Sequence, residues 1–143
     1  MEFYPIEMRT NYMKSEYAAC ENGKPIFTWG AVSPKSGACQ RAYHIVVVSG
    51  GKCYWDSGSV KSENQRAVYD GDALDEGALY EWTLELEDNF GNISRKGKGS
   101  FKTVFTDEWR GKWIECETES SAAEYFSAGF TLDALPERAA LYH

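Results

Sequence analysis

The stretch Trp55-Asp56-Ser57-Gly58 sets a carboxylate beside a hydroxyl, two of the three groups from which a nucleophilic triad is assembled once an imidazole joins them. Two histidines are available, His44 and His143. His44 alternates out of step with Tyr43 and Ile45 in "AYHIVVV", which predicts a ring on the outer face of a strand, and His143 is the last residue. A second candidate is "DGDALDEG", residues 70–77. There Asp70, Asp72, Asp75 and Glu76 supply carboxylates of the kind that glycosidases use in facing pairs and that hard cations bind. Their order is not that of a helix-loop-helix calcium loop, and their place between strand-like segments predicts a loop that spreads its charge into water.

The third candidate is aromatic. Five tryptophans, Trp29, Trp55, Trp82, Trp109 and Trp113, offer ring faces on which a sugar could stack. Trp29 shares strand parity with Phe27, and Trp82 shares it with Leu84, so both are assigned to a core. Trp55 stays open between packing and contact, and Trp109 and Trp113 are the candidate exposed aromatic contacts. No residue is assigned a catalytic, cofactor-binding or metal-ligating role. The four cysteines, Cys20, Cys39, Cys53 and Cys116, are scattered, without the CxxC spacing or neighbouring histidines of a zinc site, and are expected as reduced thiols.

The elements that must carry these residues are strands. Short segments of period-two alternation, rich in valine, threonine and aromatic residues and closed by glycine, asparagine or serine, cover 6–12, 25–31, 40–48, 53–57, 65–69, 79–88 and 98–104. Seven such strands fit one antiparallel two-sheet sandwich. In "LYEWTLELED", Tyr80, Trp82, Leu84 and Leu86 fall on one face, with Glu81, Glu85 and Glu87 on the other. "SGGK", residues 49–52, supplies glycines for a tight hairpin, and "DNFGN", residues 88–92, supplies a second reversal. Asp56-Ser57-Gly58 then ends the short strand after the first hairpin. A boundary near Thr106 divides a sandwich, residues 1–105, from 106–143, where net charge moves from −2 to −5 and three further strand-like pieces look like a second module cut short. Unpaired strands from Gly111 onward would expose edges through which the chain self-associates.

A net charge of −7 with no basic face argues against nucleic acid as a partner. Apolar runs never reach the roughly 18 residues of a membrane span, and the amino terminus lacks the apolar core of a signal peptide, so a cytoplasmic chain without a membrane partner is expected.

Taken in order, "PIFTW" (25–29), "QRAYHIVV" (40–47), "YWDSGSVKS" (54–62), "LYEWTLELEDNFGNIS" (79–94), "FKT" (101–103) and "GKWIE" (111–115) resemble the amino-terminal region of bacterial α-L-rhamnosidases. The tail "AEYFSAGFTLDALPERAALYH" resembles the opening of the β-sandwich, carbohydrate-binding-like module that follows in those enzymes. The resemblance implies a fibronectin type III or immunoglobulin-like sandwich. In that pattern Trp55 packs, Asp56 and Ser57 satisfy backbone groups, Gly58 reverses the chain, and the Tyr80 hydroxyl ties down a neighbouring loop. Arg95-Lys96 departs from the pattern, which has a tryptophan-serine pair there.

The family's enzymes invert at the anomeric carbon with two glutamates carried in a later (α/α)6 barrel, and none of those positions maps onto this sequence. The implied role is a non-catalytic accessory segment whose partners are downstream modules of the same chain and rhamnose-containing glycans. The competing role is a free-standing β-sandwich that binds a glycan or a protein through Trp109 and Trp113.

Overall fold

The computed structural model describes residues 2–15, 18–21, 23–104, 127, 129 and 131–134. The chain divides into units at Met1–Glu108 and Trp109–His143, and every strand described below belongs to the first. Expectations placed on Trp109, Trp113, Cys116, His143 and the strands from Gly111 onward lie outside the described residues.

In chain order the strands are β1 (Tyr4–Thr10), β2 (Met13–Lys14), β3 (Ala19–Cys20), β4 (Ile26–Val32), β5 (Gln40–Ser49), β6 (Lys52–Asp56), β7 (Val60–Lys61), β8 (Arg66–Val68), β9 (Leu79–Asp88) and β10 (Gly97–Thr103). The first sheet runs β2-β1-β4-β8; the second runs β3-β10-β9-β5-β6, with β7 beside β5. The seven predicted segments coincide with β1, β4, β5, β6, β8, β9 and β10, and the all-β sandwich stands. One feature of the prediction is corrected. The pairing is not wholly antiparallel, because β3 lies parallel to β10 at Lys102↔Ala19 and Thr103↔Cys20. Two-residue strands such as β2, β3 and β7 carry no period for a pattern to reveal, so their pairing follows from tertiary context alone.

Alternation along β9 is the clearest cause of the fold. Tyr80, Trp82, Leu84 and Leu86 are at most 1% exposed and face the first sheet, while Glu81, Glu85 and Glu87 turn outward. Phe27 of β4 bridges the sheets, its ring 4.6 Å from Trp82 and 5.9 Å from Phe101. Each such fully buried side chain contributes about 1.5 to 3 kcal/mol relative to exposure. Gln40 is the polar exception inside: its Oε1 accepts from Trp29 Nε1 at 2.8 Å, and its Nε2 donates to the carbonyls of Ser62 and Asn64. A buried amide with both ends bonded incurs no unpaired-group penalty and fixes the 62–64 loop to the core.

The β5–β6 turn uses Gly50 at φ 55° and Gly51 at φ 81°, the two left-handed positions of a tight two-residue hairpin, with Ser49 opposite Lys52. Beyond that turn the ladder slips at Val47/Val48, pairing Val48 with Cys53 and Val47 with Trp55, so that Tyr54 is the extra residue of a bulge. The bulge lets two consecutive side chains approach the core: Tyr54 meets Tyr80 edge-on at 5.0 Å, and Trp55 stacks 6.0 Å from Phe27.

Candidate functional site

Trp55-Asp56-Ser57-Gly58 is built as the end of β6 and a reversal of the chain. Trp55 lies inward, against Phe27 and, at 5.4 Å, against Tyr69. Ser57 takes two backbone roles: its N–H donates to the Ile45 carbonyl at 2.9 Å, and its Oγ accepts from the Ile45 N–H at 2.8 Å. The same hydroxyl donates to the Gly58 carbonyl. Asp56 Oδ1 accepts from the N–H of Gly58 at 2.9 Å, and Gly58 takes φ 58° as the chain turns.

The sequence left out one contact. His44 Nε2 lies 2.7 Å from Asp56 Oδ1, on a ring that is about one-third exposed. The Gly58 N–H, followed by His44, holds the Asp56 carboxyl below its ordinary range. Although aspartate, histidine and serine are neighbours here, they do not form a triad. The Ser57 hydroxyl is engaged by Ile45 and Gly58, and the imidazole bonds the carboxylate through Nε2.

The acidic segment 70–76 is a loop pinned from below by two tyrosines. The Tyr69 hydroxyl donates to the Asp72 carbonyl at 2.7 Å, and burial, with the Asp72 charge beside it, pushes its pKa up to about 12. The Tyr80 hydroxyl accepts from the Asp75 N–H at 2.7 Å, the loop anchor the family resemblance implies. Thr103 closes the loop's far end, donating to the Asp75 carbonyl at 2.6 Å and accepting from the Ala78 N–H. The carboxylates themselves fan apart. Asp70 pairs with Lys24, Asp72 lies 3.8 Å from Lys52, and Asp75 accepts from the Tyr54 hydroxyl, a bond that raises the Tyr54 pKa well above its ordinary value. Among the described residues no three histidine, cysteine or carboxylate side chains converge as metal ligands would. Beside the loop lies a hollow of about 200 Å³ lined by Glu21, Leu74, Asp75, Glu76 and Thr103 among others.

Tyr80→Phe isolates the loop anchor. It leaves the Asp75 N–H without its acceptor and is expected to destabilise the sandwich by about 1 to 2 kcal/mol. Urea unfolding followed by circular dichroism measures this, and an unchanged midpoint would show that the hydroxyl is idle.

At the opposite end, Asp88 organises the β9–β10 reversal. Burial raises its pKa, but donation by the Asn92 side chain and by the backbone N–H groups of Asn92 and Phe90 outweighs it and leaves the carboxyl below its usual range. At the departure from the family pattern, the Arg95 guanidinium lies 5.0 Å over the Tyr4 ring and 3.3 Å from Glu2. Cys20, Cys39 and Cys53 are free thiols, the first of them buried.

Comparison with known proteins gives the family and the fold. The model of Rha78A-like N-terminal immunoglobulin domains matches residues 5–107. An α-L-rhamnosidase of Formosa agariphila is 29% identical over 124 residues, spanning 78% of this chain and 13% of that enzyme. The fold recurs in two solved structures: the α-L-rhamnosidase of Streptomyces avermitilis complexed with L-rhamnose (TM-score 0.69, 24% identity, 79% of this chain and 12% of that one) and the α-L-rhamnosidase of Dictyoglumus thermophilum (TM-score 0.66, 23% identity, 71% and 12%). The chain therefore spans about one-eighth of the length of these relatives. With a sandwich of this topology and a family match across nearly all of it, the chain belongs to the Rha78A-like N-terminal immunoglobulin domains.

Proposed function

We propose that this chain is the non-catalytic N-terminal accessory domain of a longer α-L-rhamnosidase that removes terminal α-L-rhamnose from glycosides with inversion. In this reading the acid, the base and the sugar pocket reside in a later module, and the sandwich packs against downstream modules of its own polypeptide. The single observation that carries it is the family match over residues 5–107, alongside a relative of which the chain covers only 13%. The fate of the reactive-looking groups supports it as well. Trp29, Trp55 and Trp82 are spent on packing, Ser57 on the backbone of β5, and the aspartates of 70–75 on separate partners. We place the protein in the cytoplasm; the free thiols of Cys20, Cys39 and Cys53 support that assignment. No helix among the described residues is long and apolar enough to cross a membrane.

The test is hydrolysis of an aryl α-L-rhamnoside by the 143-residue chain and by the full-length gene product, with the anomer formed first followed by NMR. Hydrolysis with inversion by the full-length protein and none by the fragment is the expected outcome. Activity in the fragment, or an inert full-length protein, overturns the reading.

A further inference from the structure

The outer face of the first sheet carries a row of cations that the stability of the sandwich does not explain. The tight turn at Asn11-Tyr12, with φ 49° and 66°, folds β2 back on β1 and sets Lys14 opposite Arg9. Arg9 in turn stands opposite Thr28 of β4, and Thr28 stands opposite Arg66 of β8. Directly opposed residues of an antiparallel sheet share a face, so Lys14, Arg9, Thr28 and Arg66 form one row across all four strands. Burial fixes which face it is. Thr10, Phe27, Trp29 and Ala67, their neighbours along β1, β4 and β8, are at most 5% exposed and point to the core, which turns the row outward.

The row is short of counter-charge. Among the described residues its one ion pair joins Arg9 to Glu7 at 2.7 Å, and Arg9, with a smaller contribution from Lys14, holds the Glu7 carboxyl below its ordinary range. Lys14 and Arg66 are exposed, and among the described residues neither their side chains nor the Thr28 hydroxyl enter a hydrogen bond or ion pair. Three cations thus face one carboxylate in a sandwich whose residues 1–105 sum to −2, while the outer face of the second sheet bears Glu81, Glu85 and Glu87 of β9. Between the two arginines β4 presents only short side chains, Thr28 and, one row on, Gly30 with Ile6 against it. Arg9 and Arg66 therefore flank the Thr28 hydroxyl, each one strand away at about 4.8 Å, and both can close on a single anion above it.

We infer that this row binds an acidic polysaccharide, whose carboxylate or sulfate groups are held by Arg9, Arg66 and Lys14 with the Thr28 hydroxyl donating. This rests on the reading of the chain as part of a glycoside-cleaving enzyme, and it adds the class of glycan: one that carries negative charge. The paired N–H donors of a guanidinium match the oxygens of a carboxylate or a sulfate. Spacing favours sugar over peptide. The row repeats at the strand separation of about 4.8 Å, close to the advance of one sugar residue in an extended chain, whereas same-face side chains of an extended peptide recur about every 6.8 Å. A peptide laid along the row would also cross the strands and find no free backbone edge, because β1 and β4 are each paired on both sides.

The test is interferometry with the 143-residue chain on sensors coated with polygalacturonate, dextran sulfate, neutral dextran or polyglutamate. Binding to polygalacturonate or dextran sulfate, weakened by added salt, with none to neutral dextran, is the expected result. The polymer that binds identifies the anion as carboxylate or sulfate. Arg66→Gln, which removes no contact of the fold, should weaken binding about fivefold, and the pair Arg9→Gln and Arg66→Gln should abolish it. Lys98→Gln with Lys102→Gln, on the outer face of the other sheet, should leave it unchanged. Circular dichroism shows whether each variant is folded. No binding to either polyanion, binding that the arginine variants retain, equal loss in the lysine variant, or equal binding to neutral dextran overturns the assignment. Polyglutamate bound as tightly as the polysaccharides overturns it too and marks an acidic protein as the partner. Rhamnoside hydrolysis by the full-length gene product is scored separately, so an active enzyme whose sandwich ignores polyanions removes the glycan row alone. Polyanion binding beside an inert full-length protein removes the rhamnosidase reading and leaves the row.

Discussion

Trp82→Ala is expected to destabilise the sandwich by about 3 to 5 kcal/mol, the range seen when a large buried aromatic side chain is truncated in a packed core. The indole is 1% exposed, it lies 4.6 Å from Phe27 across the two sheets, and Gly99 of the neighbouring strand is flush against it. A β-carbon at Gly99 would stand 2.6 Å from Nε1 and 2.7 Å from Cε2, so the strand has been fitted to the ring. Loss on this scale is about a fifth or more of the stability of an ordinary domain, and the variant is expected to unfold at markedly lower urea concentration. Trp82→Phe sharpens the test. Nε1 is buried without a hydrogen-bond partner among the described residues, so phenylalanine sacrifices volume but also removes an unpaired donor. Its cost should stay below about 1.5 kcal/mol. Circular dichroism in urea separates the two variants, and an alanine variant within about 1 kcal/mol of the parent would mean that the ring is not part of the core.

That core was legible in the sequence because β9 writes its two faces in strict alternation from Leu79 to Asp88, the one slip in its pairing with β5 being a residue inserted on the β5 side at Arg41. Tyr80 was legible through the family resemblance, which implies a loop-tying tyrosine at the start of that strand. His44 shows where such reading stops. From the glycine hairpin alone, a regular ladder sets Asp56 opposite Ile45, on the inward face. The bulge at Tyr54 moves it opposite Val46, onto the outer face that His44 shares. The His44–Asp56 contact is thus a product of one inserted residue, and nothing in "KCYWDSG" marks which residue is inserted. Gln40 escaped for another reason. A glutamine at a strand end reads as surface, and only the fold reveals that an indole N–H and two carbonyls converge on its amide. The turn at Tyr12 was equally hidden, because tyrosine is among the residues least expected at a left-handed position.

Gly71→Ala is the second large effect, and it bears on whether the acidic loop is a fixed part of the scaffold or a solvated tether. An added β-carbon would stand 2.5 Å from Cβ of Trp55 and 2.6 Å from the Tyr69 hydroxyl, and closer still to the Tyr54 carbonyl. Two of these three neighbours belong to the β6 main chain or its first side-chain atom, so no rotamer change relieves them. The loop must lift. Lifting it breaks the Asp72 N–H bond to the Tyr54 carbonyl and the Tyr69 hydroxyl's bond to the Asp72 carbonyl, for an expected loss of about 2 to 3 kcal/mol. Gly23→Ala is the control: among the described residues its β-carbon meets nothing nearer than 3.7 Å, and the change should stay within about 0.5 kcal/mol. Adding Tyr69→Phe to Gly71→Ala removes one of the three obstructing atoms but leaves both on β6, so it should not rescue stability. Rescue by that second substitution would show that the hydroxyl alone sets the loop's height. Equal stability of the Gly71 and Gly23 variants would show that 70–76 hangs free of the sandwich, in which case the tyrosine anchors beneath it carry no load.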